Sequence, residues 1–195
     1  MSRPLDKLLK EIAACRHCAA DLPLGSRPVL QAHRAARLRI IGQAPGRKVH
    51  ESGIPWADAS GDRLRDWLGV TSAQFYDSRK IALVPMGFCY PGKGSSGDLP
   101  PRPECAPLWQ VKLNAQLRDV GLTLLIGRYA QAYYLAERRK PTLGDTVRAW
   151  EDYLPSGYFP LPHPSPRNQL WLARNPWYGK EVLPALRRAV GSLGL

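Results

Sequence analysis

The chain has 195 residues, 44% of them hydrophobic, a globular composition that can bury a sizeable core and excludes a disordered chain. No apolar run approaches the roughly 18 residues of a membrane helix, so no span is expected. The 28 Lys and Arg outnumber the 16 Asp and Glu, and the net charge of +12 favours polyanions, nucleic acid above all.

Leu5, Leu8, Leu9 and Ile12 fall at helical spacing and predict an amphipathic helix from Leu5 to about Ala20. This stretch lacks the apolar centre of a signal peptide, so a cytoplasmic location is expected. RLRIIG (37–42) reads as a short strand. SGDRLRDWLGV (60–70) reads as a helix, capped by Ser60, with Leu64, Trp67 and Leu68 on one face. KIALVPMGF (80–88) is a second strand broken at Pro85. Residues 90–105 are rich in Gly, Pro and Ser and predict a loop, of a length that is usually functional or disordered. CAPLWQVKLNAQL (105–117) is a helix with Leu108, Trp109, Leu113 and Leu117 inward. LTLLIG (122–127) is a third strand, followed at once by the helix RYAQAYYL (128–135). Thr142 to Tyr153 reads as helical, YFPLPHPS (158–165) as a fourth strand running into a loop, and RNQLWLAR and GKEVLPALRRAV as the last helices.

Alternating strands and helices predict an α/β fold, three layers deep, with a central and mainly parallel four-stranded sheet in one domain over 1–195. Ligands of such sheets lie beyond the carboxyl ends of the strands. Three unusual segments fall there: GQAPG (42–46), MGFCYPG (86–92) and HPSPRN (163–168). One cavity lined by all three is the expectation.

The four cysteines form a second pattern. Cys15 and Cys18 are spaced as C-x2-C, and Cys89 and Cys105 bracket the Gly/Pro-rich loop. Four thiolates suit tetrahedral zinc or an iron–sulfur cluster equally well, and disulfides are disfavoured in a cytosolic protein.

Together these motifs resemble the uracil-DNA glycosylase superfamily over most of the chain. The cysteine spacing is similar to that of the family 4 enzymes, which carry a [4Fe–4S] cluster, and GQAPG, GIPW (53–56) and SGDRL (60–64) follow the order of that family's motifs. HPSPRN is closer to the single-strand-selective monofunctional branch. The resemblance implies a [4Fe–4S] cluster on Cys15, Cys18, Cys89 and Cys105, tying the N-terminal helix to the loop, with zinc as the alternative. It implies DNA as the partner of a monomer, and hydrolysis of the N-glycosidic bond of uracil or a related damaged base without a lyase step. The turn holding Gln43 and Ala44 would wall the base pocket and position the attacking water.

The chemistry asks for a donor aimed at the departing base, and His163, held between Pro162 and Pro164, is the candidate. Trp56 stands where family 4 has a stacking Phe. Ser165, Arg167 and Asn168, at a predicted helix start, and Arg47 and Lys48 after the first motif, are phosphate-contact candidates.

Two departures from the family pattern are plain. Gln43 replaces the acid of the first motif, and an amide orients water without taking its proton. Asp58 is the candidate substitute, with a loop-cap role as its alternative. The Asn that reads uracil has no counterpart in VPMGFC (84–89), which leaves main-chain groups of Met86 or Gly87 to read the base edge. A nucleic-acid-binding relative that recognises a base without cutting it is the competing reading. A nucleoside hydrolase fits the charge poorly.

Overall fold

The computed structural model describes residues 4–95 and 97–195. Helix α1 (Pro4–Ala13) leads through a long connection to β1 (Leu38–Ile41), then α2 (Arg47–Ser52), α3 (Ala59–Leu68), α4 (Ser72–Tyr76) and β2 (Ile81–Leu83). A two-residue hairpin, β3 (Lys93–Gly94) with β4 (Gly97–Asp98), precedes α5 (Cys105–Gln116). The second half runs through β5 (Leu122–Ile126), α6 (Gly127–Leu135), α7 (Leu143–Arg148), β6 (Tyr158–Leu161), α8 (Gln169–Arg174) and α9 (Leu183–Gly191).

The main sheet has the order β2-β1-β5-β6, and every pairing in it is parallel. Both faces are covered, so β1, β2 and β5 are buried throughout and are apolar except at Arg39 and Thr123. Period two sorts their side chains between faces. Leu38, Ile40, Leu83, Leu124 and Phe159 join Leu64 and Trp67 of α3, Val147 of α7 and Leu186 of α9 in one core. Ala82, on the opposite face, packs with Leu5, Leu8 and Ile12 of α1 and Leu113 of α5, while Ile41 and Leu125 meet Ala130 and Leu135 of α6.

That opposite face also buries a charge. Arg39 is 7% exposed, donates through Nε to Thr123 Oγ1 (3.3 Å) and through Nη1 to Asn114 Oδ1, and lies 5.2 Å from the Tyr134 ring centre. Burial lowers its pKa. The network continues from the Tyr134 hydroxyl to Gln110 Oε1 (2.8 Å) and from Gln110 Nε2 to Pro85 O (2.8 Å).

Several boundaries differ from expectation. The first helix stops at Ala13, so Cys15 and Cys18 leave its end in tight turns instead of riding on it. The cap of α3 is Asp58, whose Oδ1 accepts from Gly61 N at 2.9 Å; Ser60 lies inside the first turn. Leu108 and Trp109 are only partly covered, and the residues α5 buries are Ala106, Gln110 and Leu113. The segment from Thr142 is a short helix followed by 3-10 turns. Prolines explain the short strands: β2 ends at Leu83, two residues before Pro85, and β6 ends at Leu161, before Pro162. Helices α2 and α4 were not anticipated; α4 carries a capping box between Thr71 and Gln74. The expected loop 90–105 contains the β3–β4 hairpin, with Ser96 outside the described residues.

Candidate functional site

In the order β2-β1-β5-β6 the connection leaving β1 goes to one neighbour, β2, and the one leaving β5 goes the other way, to β6. Their carboxyl ends therefore diverge and open a crevice. A cavity of about 410 Å³ lies there, lined by Gln43, Ala44, Pro45 and Gly46 after β1, by Trp56, Asp58 and Ser60, by Pro85, by Gly97 and Asp98 of the hairpin, and by His163, Ser165 and Arg167 after β6. The volume suits a small ring with its sugar.

The indole of Trp56 is placed by glycines and by its own backbone. A Cβ on Gly42 would sit 2.8 Å from Trp56 Cζ2, and one on Gly61 would sit 1.8 Å from Trp56 O. Trp56 itself has φ of 59°, a left-handed conformation uncommon for a bulky residue, and its carbonyl accepts from Tyr76 Oη at 3.3 Å. Strain of this kind persists where surrounding structure over-determines it. The ring stacks on His163 with centroids 5.8 Å apart and planes 28° apart.

His163 is held in one tautomer. Its Nδ1 accepts from the backbone N–H of Ser165 at 3.2 Å, so in the neutral ring the proton resides on Nε2 as a donor. Burial lowers its pKa, against an opposing pull from Asp58, and favours the neutral ring. The loop around it is self-clamped: Asn168 Nδ2 donates to His163 O (2.7 Å), Arg167 N to Ser165 Oγ (3.2 Å), and Arg63 Nη1 to Ser165 O (3.1 Å). Below it, Gln131 Nε2 bridges Leu125 O and Leu161 O, binding β5 to β6 two residues before the histidine.

Gln43 Nε2 donates to Leu99 O at 3.3 Å, which leaves Oε1 as the acceptor. Met86 and Gly87 are not among the residues that line the cavity. Met86 N donates to Gly42 O (2.9 Å) and Gly87 N to Gln43 O (3.0 Å), so of the main-chain groups expected to read a base edge both N–H donors hold the first turn in place. The Met86 side chain is core, and Gly87 faces the cysteines instead. Asp58 lines the cavity while capping α3. Asn168 borders a neighbouring groove and serves as the loop clamp, and Arg47 is ion-paired to Glu51 on the outer surface of α2 (2.8 Å).

Val29, Val49, Gly97 and Asp98 line the cavity without having been singled out in the sequence. Gly97 and Asp98 lie in a Gly-rich stretch with no periodicity, and only the Lys93↔Asp98 pairing of the hairpin brings them over the turn after β1. Burial pushes the Asp98 carboxyl up, Asp58 adds to this, and Arg167 and Lys93 oppose it.

The four cysteines line a second cavity, with Leu22, Phe88, Arg102 and Trp109 around them. All are free thiols, none forming a disulfide. Burial raises the thiols of Cys18, Cys89 and Cys105, Cys105 to about 12; Glu104 and Cys15 add to this at Cys18, and neighbouring cysteines add to it at Cys89 and Cys105, whose Sγ accepts from Phe88 N at 3.4 Å. Among the described residues no three His, Cys, Asp or Glu side chains are gathered as a single metal ion requires. Also among the described residues, no helix is long and apolar enough to cross a membrane.

The model of the Uracil DNA glycosylase superfamily matches residues 31–187, and the chain belongs to that superfamily.

Proposed function

We propose that the protein is a monofunctional DNA glycosylase that hydrolyses the N-glycosidic bond of uracil or a related deaminated or damaged base. The observation that carries this reading is the neutral His163, its Nε2 proton fixed by Ser165 N–H on the other nitrogen, inside the cavity that also holds Trp56 and Gln43. As the glycosidic bond lengthens, its electron pair moves into the base and the sugar gains oxocarbenium character. Nε2–H donates to the base oxygen that gathers this charge, a preorganised donor needing no rearrangement during the step. Trp56 offers a π-face to the extruded base. Gln43 Oε1 accepts from the attacking water and orients it. No lysine lines the cavity among the described residues, which agrees with hydrolysis over Schiff-base chemistry. Arg167 at the mouth and the charge of +12 suit the phosphates of DNA.

Cys15, Cys18, Cys89 and Cys105 would hold a [4Fe–4S] cluster. Four thiols lining one cavity suit such a cluster, the C-x2-C pair and the later Cys89 and Cys105 being spaced like those of the family 4 enzymes, with zinc as the alternative. Bound there, the cluster would staple the end of α1 to the loop before α5. Cys15 and Cys18 precede the matched region, so the N-terminal half of this site is argued from the shared cavity and the cysteine spacing. Free thiols of this kind fit a reducing cytoplasm.

The commitment of the Met86 and Gly87 donors favours a second reading, a relative that binds a base without cutting. Duplex and single-stranded oligonucleotides carrying uracil, hypoxanthine or xanthine, incubated with protein and treated with alkali, separate the two. Strand breaks that disappear in His163→Ala support the glycosylase. Tight binding with no abasic product on any base supports the second reading.

A further inference from the structure

A Gln in the first motif leaves the hydrolysis without an obvious proton acceptor, since an amide can orient water but not deprotonate it. The cavity holds two carboxylates, Asp58 and Asp98. Asp58 is engaged elsewhere: its Oδ1 accepts from Gly61 N at 2.9 Å as the cap of α3. Asp98 has no such donor among the described residues. It extends from the β3–β4 hairpin over the turn that follows β1, with Oδ2 3.3 Å from the point where a Cβ on Gly46 would stand.

The hairpin is built to hold this position. Leu99, next to Asp98, accepts from Gln43 Nε2 (3.3 Å) and donates its N–H to Gly92 O (2.9 Å), so the amide and the carboxylate are tied to one short segment. Gly92 and Gly97 have φ of 107° and 145°, conformations an L side chain rarely adopts. A Cβ on Gly97 would also lie 2.5 Å from Arg167 Nη1, so glycine is what lets the guanidinium approach the hairpin beside Asp98.

We propose that Asp98 is a catalytic residue of the glycosylase reaction, the carboxylate that accepts the proton of the water oriented by Gln43. This rests on the glycosylase reading above. The water oxygen forms a bond to C1′ as the C1′–N bond breaks with its electron pair entering the base. One water proton passes to the Asp98 carboxylate, the other stays as the new hydroxyl, and the base anion is held by His163 Nε2–H until it takes a proton from solvent. Before proton transfer, the anionic carboxylate also stabilises the positive sugar. The charged and titratable groups facing Asp98 are Arg167, Asp58, Lys93 and Tyr90. Burial and Asp58 raise its proton affinity, as a base needs, while Arg167 and Lys93 keep it ionised.

The test uses the full-length protein with the base panel above, in single-turnover cleavage, and with a duplex whose 2′-fluorinated sugar resists cleavage to measure binding. Asp98→Asn is expected to slow cleavage about 10²–10⁴-fold, the usual contribution of a general base, with binding of the uncleavable duplex within about threefold. Asp98→Glu restores part of the rate, and Asp58→Asn, which keeps a capping oxygen, loses less than Asp98→Asn. Cleavage by wild type with Asp98→Asn equally fast overturns the assignment alone. So does a parallel loss of binding and rate in Asp98→Asn. A wild type that cleaves none of the bases overturns the glycosylase reading and the Asp98 assignment with it.

Discussion

Gly42→Ala isolates the placement of the indole. Gly42 has an ordinary backbone conformation, so alanine is free of backbone strain there and the only severe contact is its Cβ with Trp56 Cζ2 at 2.8 Å. Reaching ordinary contact means a shift of about 0.6 Å or more, in a ring whose backbone is pinned by Tyr76 and Gly61. Overpacking of this kind costs about 1–3 kcal/mol. For a domain of this size that is a fall in Tm of about 2–12 °C. Misplacing the stacking face relative to His163 by a fraction of an ångström to an ångström predicts a cleavage loss of about 10–10²-fold. Thermal unfolding, tryptophan fluorescence and single-turnover cleavage measure the three effects. Gly61→Ala is the contrasting variant: its Cβ would lie 1.8 Å from a main-chain oxygen, and it should lose the fold of this region outright. A Gly42→Ala protein with unchanged Tm and wild-type cleavage would refute the claim that this indole is held by close packing and used as a platform.

Other outcomes follow from the same geometry. The lowered pKa of His163 means that the unfolded chain takes up this proton first on acidification. Its stabilising contribution is therefore complete above about pH 6.5 and shrinks as pH falls below that toward the folded value. Urea unfolding should show the wild-type advantage over His163→Ala narrowing between about pH 7.5 and 5.5, and a constant difference contradicts the buried neutral ring. Cys105→Ser should reduce bound iron and visible absorbance and lower Tm; iron retained at the wild-type ratio would remove Cys105 from the ligand set. Asn114→Ala strands the buried Arg39 guanidinium and should cost about 3 kcal/mol, whereas Arg39→Met removes the charge that needs partners and should cost about 1 kcal/mol or less. The opposite order would mean that Arg39 is a net stabiliser.

The alternation of apolar strands with amphipathic helices was enough to place four parallel strands, because burial on both faces makes β1, β2 and β5 apolar at all positions but Arg39 and Thr123. It also located the turns at their carboxyl ends. His163, Trp56 and Gln43, distant in the chain, line one cavity, to which the first and third strand-end segments contribute while MGFCYPG (86–92) does not. Turn chemistry was less legible: the cap moved from Ser60 to Asp58, and α2 escaped notice because six residues are too short to show a period.

What local pattern cannot encode is which backbone groups meet across connections. That Met86 and Gly87 donate to Gly42 O and Gln43 O is set by the parallel packing of two strand ends, and no motif announces it. The reach of Asp98 over Gly46 depends on a hairpin of glycines, whose sequence reads only as a loop because glycine permits many conformations and tertiary contacts choose among them. The amino-acid order alone determined the architecture, the candidate ring, indole and thiols. The tertiary structure decided which carboxylate overhangs the cavity and which donors are already taken, since both depend on distances between segments that lie far apart along the chain.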